Sequence, residues 1–310
     1  MFTFQKAQEI VNIANIKVGG QPGEYPTVLA GTIFYNKHSI VSDPDKGIFD
    51  KIAAEKLINR QQELSDETGN PCMVHIYAQS AKAAMRYMDF VSNATDAPLL
   101  IDSTESHVRM AAASYVSEIG LADKTIYNSL NMAVTEEEIE ALTLSDMDSA
   151  VILGFNAMDS SLDGRMELLE DGGKVLPRGL LDTADECGIK KKLIDPSITP
   201  MGNGAGVALR MTITAKAKWG LPVGSGIHNA PSAWNWLRNI GKEDKLIYSI
   251  CDIASTGIQQ MAAGDFILYG PIENAKYTFP LSAMTDIMIS ESVADMGIEP
   301  VDGHPIWKLV

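Results

Sequence analysis

A closed (β/α)8 TIM barrel, an α/β fold, is the class this sequence predicts, and three observations predict it. Eight short apolar runs rich in β-branched residues recur along the 310 residues. Each run is followed by a longer segment whose apolar residues fall at helical spacing. The runs are apolar almost throughout instead of alternating, as parallel strands covered by helices on both faces must be. Eight units over roughly 280 residues suit a closed barrel better than an open doubly wound sheet, which more often has fewer strands and a glycine fingerprint after its first.

In chain order, residues 1–26 hold a short amphipathic piece and then turn through the Gly- and Pro-rich stretch from Val18 to Pro26. Strands are expected at Thr27–Tyr35, Cys72–Ala78, Leu99–Ser103, Lys124–Leu130, Ala150–Asn156, Lys192–Pro196, Leu221–His228 and Asp265–Tyr269. Helices are expected at Asp45–Thr68, Ser80–Ser92, Ser106–Ile119, Thr135–Leu142, Leu180–Cys187, Gly206–Trp219, Lys245–Ala263 and Leu281–Met296. Gly69-Asn70-Pro71 stops the first of these, and Thr135 with Glu138 has capping-box spacing. Residues 158–179 read as a long fifth connection. No Pro/Gly/Ser-rich linker divides the chain, so residues 1–310 are expected to form one domain.

Composition narrows the function classes. The sequence is 45% hydrophobic and 21% charged, with a formal net charge of −15, which argues against nucleic acid and anionic membrane as partners. No run approaches the ~20 apolar residues of a membrane span, so no direct membrane insertion is expected. Cys72, Cys187 and Cys251 are too few and too far apart for a disulfide framework, which points to a reducing, cytoplasmic setting.

A barrel does its chemistry where its strands finish. Those ends carry Asp102, Asn128, Asn156, Asp195 and, in the stretch Leu221–Trp234, His228 and Asn229. Two carboxylates and three amides from different strands exceed what structural pairing needs. Each alone has a plainer reading: Asp102 as an N-cap, Asn156 as a cap or turn. Together they suit a flat heterocycle with N–H donors on one edge and acceptors on another. Phosphate does not fit, since only Lys37 supplies a cation at a strand end.

Other signals weigh less. Gly202-Asn-Gly-Ala-Gly206 lacks the full dinucleotide fingerprint and its distal acid. Cys72 and His75 lie three apart on one strand, hence on opposite faces, and no histidines show metal-ligand spacing, so no metal site is expected. Lys37 keeps a Schiff-base aldolase open as an alternative barrel chemistry.

Several blocks carry a family resemblance: Gly20–Leu29, Thr32–Tyr35, Leu100–Ser103, Tyr127–Ser129, Phe155–Ala157, His228-Asn229 with Ser232–Trp234, and above all Leu268-Tyr-Gly-Pro-Ile-Glu-Asn274. Over its whole length the chain resembles the family of the H subunit of tetrahydromethanopterin S-methyltransferase. It is also similar to the bacterial methylcobalamin:tetrahydrofolate methyltransferases of that family. More distant relatives, the dihydropteroate synthases among them, share a pterin-binding TIM barrel. The resemblance implies that Asp102, Asn128 and Asp195 bind the pterin, that Asn229 is the catalytic amide near N5, and that Asn156 has a looser binding role. The lysine of the synthases at that region is absent.

What this implies is a corrinoid-dependent methyltransferase. A methyl group would pass between methylcobalamin, carried by a partner corrinoid protein, and N5 of a reduced pterin, with tetrahydrofolate as the expected substrate. The alternatives are the H subunit of the tetrahydromethanopterin enzyme and an inert pterin-binding subunit of a larger complex. An Asp-x-His-x-x-Gly signature for cobalt ligation is missing, and the resemblance implies a homodimer.

Overall fold

A computed structural model describes residues 1–310. Eight parallel strands, β1 (Val28–Ile33), β2 (Cys72–Tyr77), β3 (Leu99–Asp102), β4 (Thr125–Leu130), β5 (Ser149–Leu153), β6 (Lys191–Asp195), β7 (Gly224–Ser225) and β8 (Phe266–Pro271), pair in the order β6-β5-β4-β3-β2-β1-β8-β7. A bridge between Ile194 of β6 and Val223 beside β7 closes the ring, so the expected barrel is present. Strand β7 is far shorter than the expected Leu221–His228. Pro222 has no N–H to give a ladder, and Asn229 already opens a helical turn.

The helices are α1 (Lys51–Thr68), α2 (Ala81–Ala94), α3 (Ser106–Glu118), α4 (Glu136–Thr143), α5 (Leu162–Glu170), α6 (Leu180–Glu186), α7 (Ala205–Trp219), α8 (Asn229–Ser232), α9 (Asn235–Glu243), α10 (Lys245–Met261), α11 (Ala275–Val293) and α12 (Pro305–Leu309). Most boundaries lie within two residues of expectation. Helix α1 starts six residues late because Asp50 caps it, accepting from the Ala53 amide, while Val41–Asp43 and Ile48–Phe49 pair as an antiparallel ribbon. Helix α5 lies inside the supposed fifth connection, opened by Ser161 accepting from the Gly164 amide. Helix α11 begins before Leu281 and carries Pro280 within it, at an exposed position near its N-terminal end. No helix is long and apolar enough to cross a membrane.

Inside the barrel a cluster joins Val28, Ala30, Met73, Leu100, Ile126, Val151, Leu193, Phe266 and Leu268. Its lower end is plugged by Val11, Ile13, Ile16 and Val18, the inward residues of an antiparallel hairpin (Ile10–Ile13 with Ile16–Gly19) formed where the sequence suggests only an amphipathic piece. The barrel bottom is thereby sealed, and only the C-terminal end is open to a ligand. Between strands and helices a larger cluster of 37 buried residues forms the outer core.

Candidate functional site

Side chains alternate faces along a strand, so two residues beyond each inward core position comes the next inward one. From the interior cluster this step leads to Thr32, His75, Asp102, Asn128, Leu153, Asp195 and Gly270, and from Gly224 to Gly226. All eight line a cavity of about 460 Å³ at the open end. The floor is therefore a polar layer laid directly on an apolar one. His228, Asn229 and Tyr35 add walls from the loops.

Four of the five expected residues meet here: Asp102, Asn128, Asp195 and Asn229. Asp102 is not the cap of α3; that position belongs to Glu105. Its Oδ2 lies 3.1 Å from Nε2 of His75, whose Nδ1 lies 2.8 Å from the Thr32 hydroxyl. One tautomer satisfies both contacts: Nε2–H donates to Asp102, and the Thr32 hydroxyl donates to Nδ1. Oδ1 of Asp102 is left toward the cavity. Behind Asn128, the neighbouring Tyr127 turns outward to Glu138 and Arg109, and Arg109 donates to the Ser103 carbonyl at 2.7 Å. This buried knot pins the ends of β3 and β4 together. Glu138, expected to close a capping box, is spent here; Thr135 caps α4 alone.

Asp195 is buried, and its Oδ1 accepts the Ser197 N–H at 2.7 Å. Burial pushes its pKa up to about 7, against the Ser197 N–H, the nearby Arg165 and the Gly226 N–H, which favour the anion. Arg165, fully buried, clamps the loop by donating to the carbonyls of Pro196 and Ser197 at 2.5 and 2.7 Å. The two small residues flanking Ser225 have structural reasons. A Cβ on Gly224 would meet the Phe266 carbonyl at 1.9 Å, and one on Gly226 would meet the Asn229 amide at 3.0 Å.

Asn156 is a correction. It is buried away from the cavity, its Nδ2 donates to the Gly164 carbonyl at 2.9 Å, and its Oδ1 accepts from the Met158 and Asp159 amides. Strand β5 stops at Leu153, so Asn156 lies past the inward layer and serves as the turn residue of its loop. Two floor residues, Thr32 and His75, escaped sequence reasoning although the two-residue step from Ala30 and Met73 identifies both. Lys37 is exposed and does not line the cavity, which removes the Schiff-base alternative. No group of three or more His, Cys, Asp or Glu side chains is placed to hold a metal ion.

With this geometry in view, the comparisons with known proteins are specific. The chain matches the family of the tetrahydromethanopterin S-methyltransferase MtrH subunit over residues 6–301. The H subunit of a candidate methyltransferase, mtx, of Methanosarcina barkeri is 67% identical over 310 residues, all of both chains. The H subunit of tetrahydromethanopterin S-methyltransferase of Methanothermobacter thermautotrophicus is 55% identical, again over all of both chains, and that of Methanocaldococcus jannaschii 50%, also over all of both. Among solved structures, dihydropteroate synthase of Yersinia pestis, with a pterin–sulfa conjugate, aligns at a TM-score of 0.63 and 13% identity, covering 92% of this chain and 100% of that one. The Vibrio fischeri enzyme aligns at 0.61 and 12%, covering 94% and 100%. At such identities the likeness speaks for the barrel, not the substrate. The near-complete family match and the full-length identities place this chain in the MtrH family, that of the H subunit of tetrahydromethanopterin S-methyltransferase, a family of methyltransferases.

Proposed function

We propose that the chain moves a methyl group between N5 of tetrahydromethanopterin and a corrinoid carried by a separate protein. The observation that carries this reading is the set of polar groups around one cavity: Oδ1 of Asp102 and the side-chain amides of Asn128 and Asn229, which make no hydrogen bond to protein, with the Asp195 carboxylate lining the same cavity. The carboxylates accept from the N–H edge of the pterin, the Asn128 amide holds its other edge, and Asn229 lies beside N5, able to donate or accept. Tetrahydromethanopterin replaces the tetrahydrofolate expected from sequence because the H-subunit relatives at 50–55% identity are named for it. When bound at the mouth, the corrinoid supplies the cobalt centre that takes or gives the methyl group. Asn229, exposed at the rim, stands where the carrier meets the pterin. The chain's own task is positional: to hold N5 on the transfer axis in a cavity sealed below.

Titration calorimetry on the wild type with tetrahydromethanopterin and with tetrahydrofolate tests the reading. It expects the tighter binding for the former, and Asp195→Ala to lose most of it. Incubation with free methylcobalamin and the pterin should produce the Co(I) spectrum. Binding without transfer would favour the inert-subunit alternative; unchanged affinity in Asp195→Ala would refute the assignment.

Helices α10 and α11 support the homodimer reading. The inner face of α10 is polar, carrying Asp252, Ser255, Thr256, Gln259 and Gln260, and that of α11 mixes Thr278, Ser282, Thr285, Asp286 and Ser290 with Phe279, Ile289 and Val293. Asp286 takes bonds from the Thr27 amide and hydroxyl, Asn70 and Gln260 at 2.6–2.9 Å. Outward point Leu246, Ile247, Ile250, Ile258, Met261, Tyr277, Met284 and Met288, each 39–66% exposed. At about 100 Å² each these sum to roughly 800 Å², what one partner of a standard interface contributes and above the ~300–600 Å² of a typical monomer's largest patch. A second copy of this chain fits such a face, because these side chains carry no charge on a chain of net −15.

A further inference from the structure

Five titratable side chains line the cavity: Tyr35, His75, Asp102, Asp195 and His228. Four are committed. The Tyr35 hydroxyl donates to Glu273 at 3.0 Å, His75 is bonded at both nitrogens, Asp102 is bonded to His75, and Asp195 to the Ser197 amide. His228 alone makes no side-chain hydrogen bond to protein, although it sits in the turn between β7 and α8 and lines the cavity beside its chain neighbour Asn229. Its ring is seated on Gly270, whose φ of +82° suits glycine and where a Cβ would stand 2.7 Å from Nδ1. A half-buried imidazole with both nitrogens free, held in place by a glycine made to receive it, is furnished for a ligand.

We propose that His228 exchanges the N5 proton during methyl transfer, an inference that rests on the tetrahydropterin reading above. In transfer toward the pterin, the N5 lone pair forms a bond to the methyl carbon, and the bond from methyl to its carrier breaks with the electron pair left on the carrier. N5 then bears hydrogen, methyl and a positive charge, and a free ring nitrogen of His228 takes the proton. In the opposite direction the imidazolium protonates methylated N5, the nucleophile takes the methyl group, and the N–C pair returns to N5. Asn229 has no proton to release, and the two carboxylates engage the far edge of the ring. Burial and the neighbouring His75 hold the imidazole's pKa down to about 4. The ring is thus a neutral base near neutrality, and its conjugate acid is strong enough for a weakly basic aryl amine. The titratable groups facing it are His75, Asp102, Asp195 and Tyr35, all on other elements.

The test uses the full chain, 5-methyl-tetrahydromethanopterin and free cob(I)alamin, with transfer followed by loss of the Co(I) spectrum. His228→Gln should bind the pterin within about twofold of wild type but transfer at least about 100-fold more slowly. His228→Gly should be rescued by added imidazole. In the wild type, heteronuclear NMR of the His228 ring nitrogens should show a shift on pterin binding. An unchanged rate in His228→Gln, or ring nitrogens unmoved by bound pterin, overturns the role of His228 while the methyltransferase reading stands. Failure of the wild type to bind the pterin overturns both.

Discussion

Replacing Asp195 with asparagine separates what the carboxylate does for the ligand from what it costs the fold. Burial raises its pKa from 3.8 to about 7, which corresponds to roughly 4 kcal/mol in favour of the protonated form. The folded state therefore holds this proton more tightly than the unfolded chain. The linked stability is fully present below about pH 4 and is lost as pH rises through about 7, so at about pH 8 the ionised wild type bears the whole penalty. Asparagine keeps an oxygen for the Ser197 N–H but carries no charge. Urea denaturation of the ligand-free protein should show Asp195→Asn more stable than wild type by about 2–4 kcal/mol near pH 8, the gap closing toward pH 4. Pterin affinity should move the other way, by the 1.5–3 kcal/mol of a charged hydrogen bond, or about 10–100-fold. A variant less stable than wild type near pH 8 would refute the reasoning, because it would mean that Arg165 and the loop amides more than repay the buried charge.

Other perturbations follow from the same geometry. Asn156→Ala removes three hydrogen bonds, one buried and two partly buried, from the loop after β5 and should cost about 1–3 kcal/mol by denaturation, with pterin affinity unchanged; a large affinity loss at unchanged stability would return Asn156 to the binding set. Gly270→Ala places a methyl group against the His228 ring at a left-handed position. It should cost at least about 1–2 kcal/mol and slow methyl transfer more than it weakens pterin binding; a wild-type transfer rate would show that the ring is not held there. Ile250→Asp together with Met284→Asp sets charges into the exposed face of α10 and α11. Light scattering should then find a monomer where the wild type is a dimer, and a wild type that is itself monomeric would remove the proposed interface.

The barrel was legible because its strands are buried on both faces and so read as unbroken apolar runs, each with a helical pattern behind it. What stayed hidden was structure whose local chemistry competes with that pattern. The hairpin under the barrel alternates over only four residues a side, and α5 starts on a serine cap within a polar stretch. In the site, Asp102, Asn128 and Asp195 could be found because each is the inward residue where its strand ends. Asn156 misled because the run Ala150–Asn156 continues three residues past the true strand end, turning a loop residue into an apparent floor residue. His75 hid inside an apolar run, yet it stands one step of two beyond Met73, the same relation that links Leu100 to Asp102 and Leu193 to Asp195. The outward apolar faces of α10 and α11 were read as ordinary helical periodicity. Periodicity alone does not say which stripe faces the barrel, and in α10 the polar stripe does.

A crystal structure with tetrahydromethanopterin bound tests the central claim most directly. The account predicts the bicyclic ring above Leu153 and Gly270, its N–H edge on Asp102 and Asp195, its opposite edge on Asn128, and N5 facing Asn229. A ring bound outside that cavity, or lying in it without contact to either carboxylate, would contradict it.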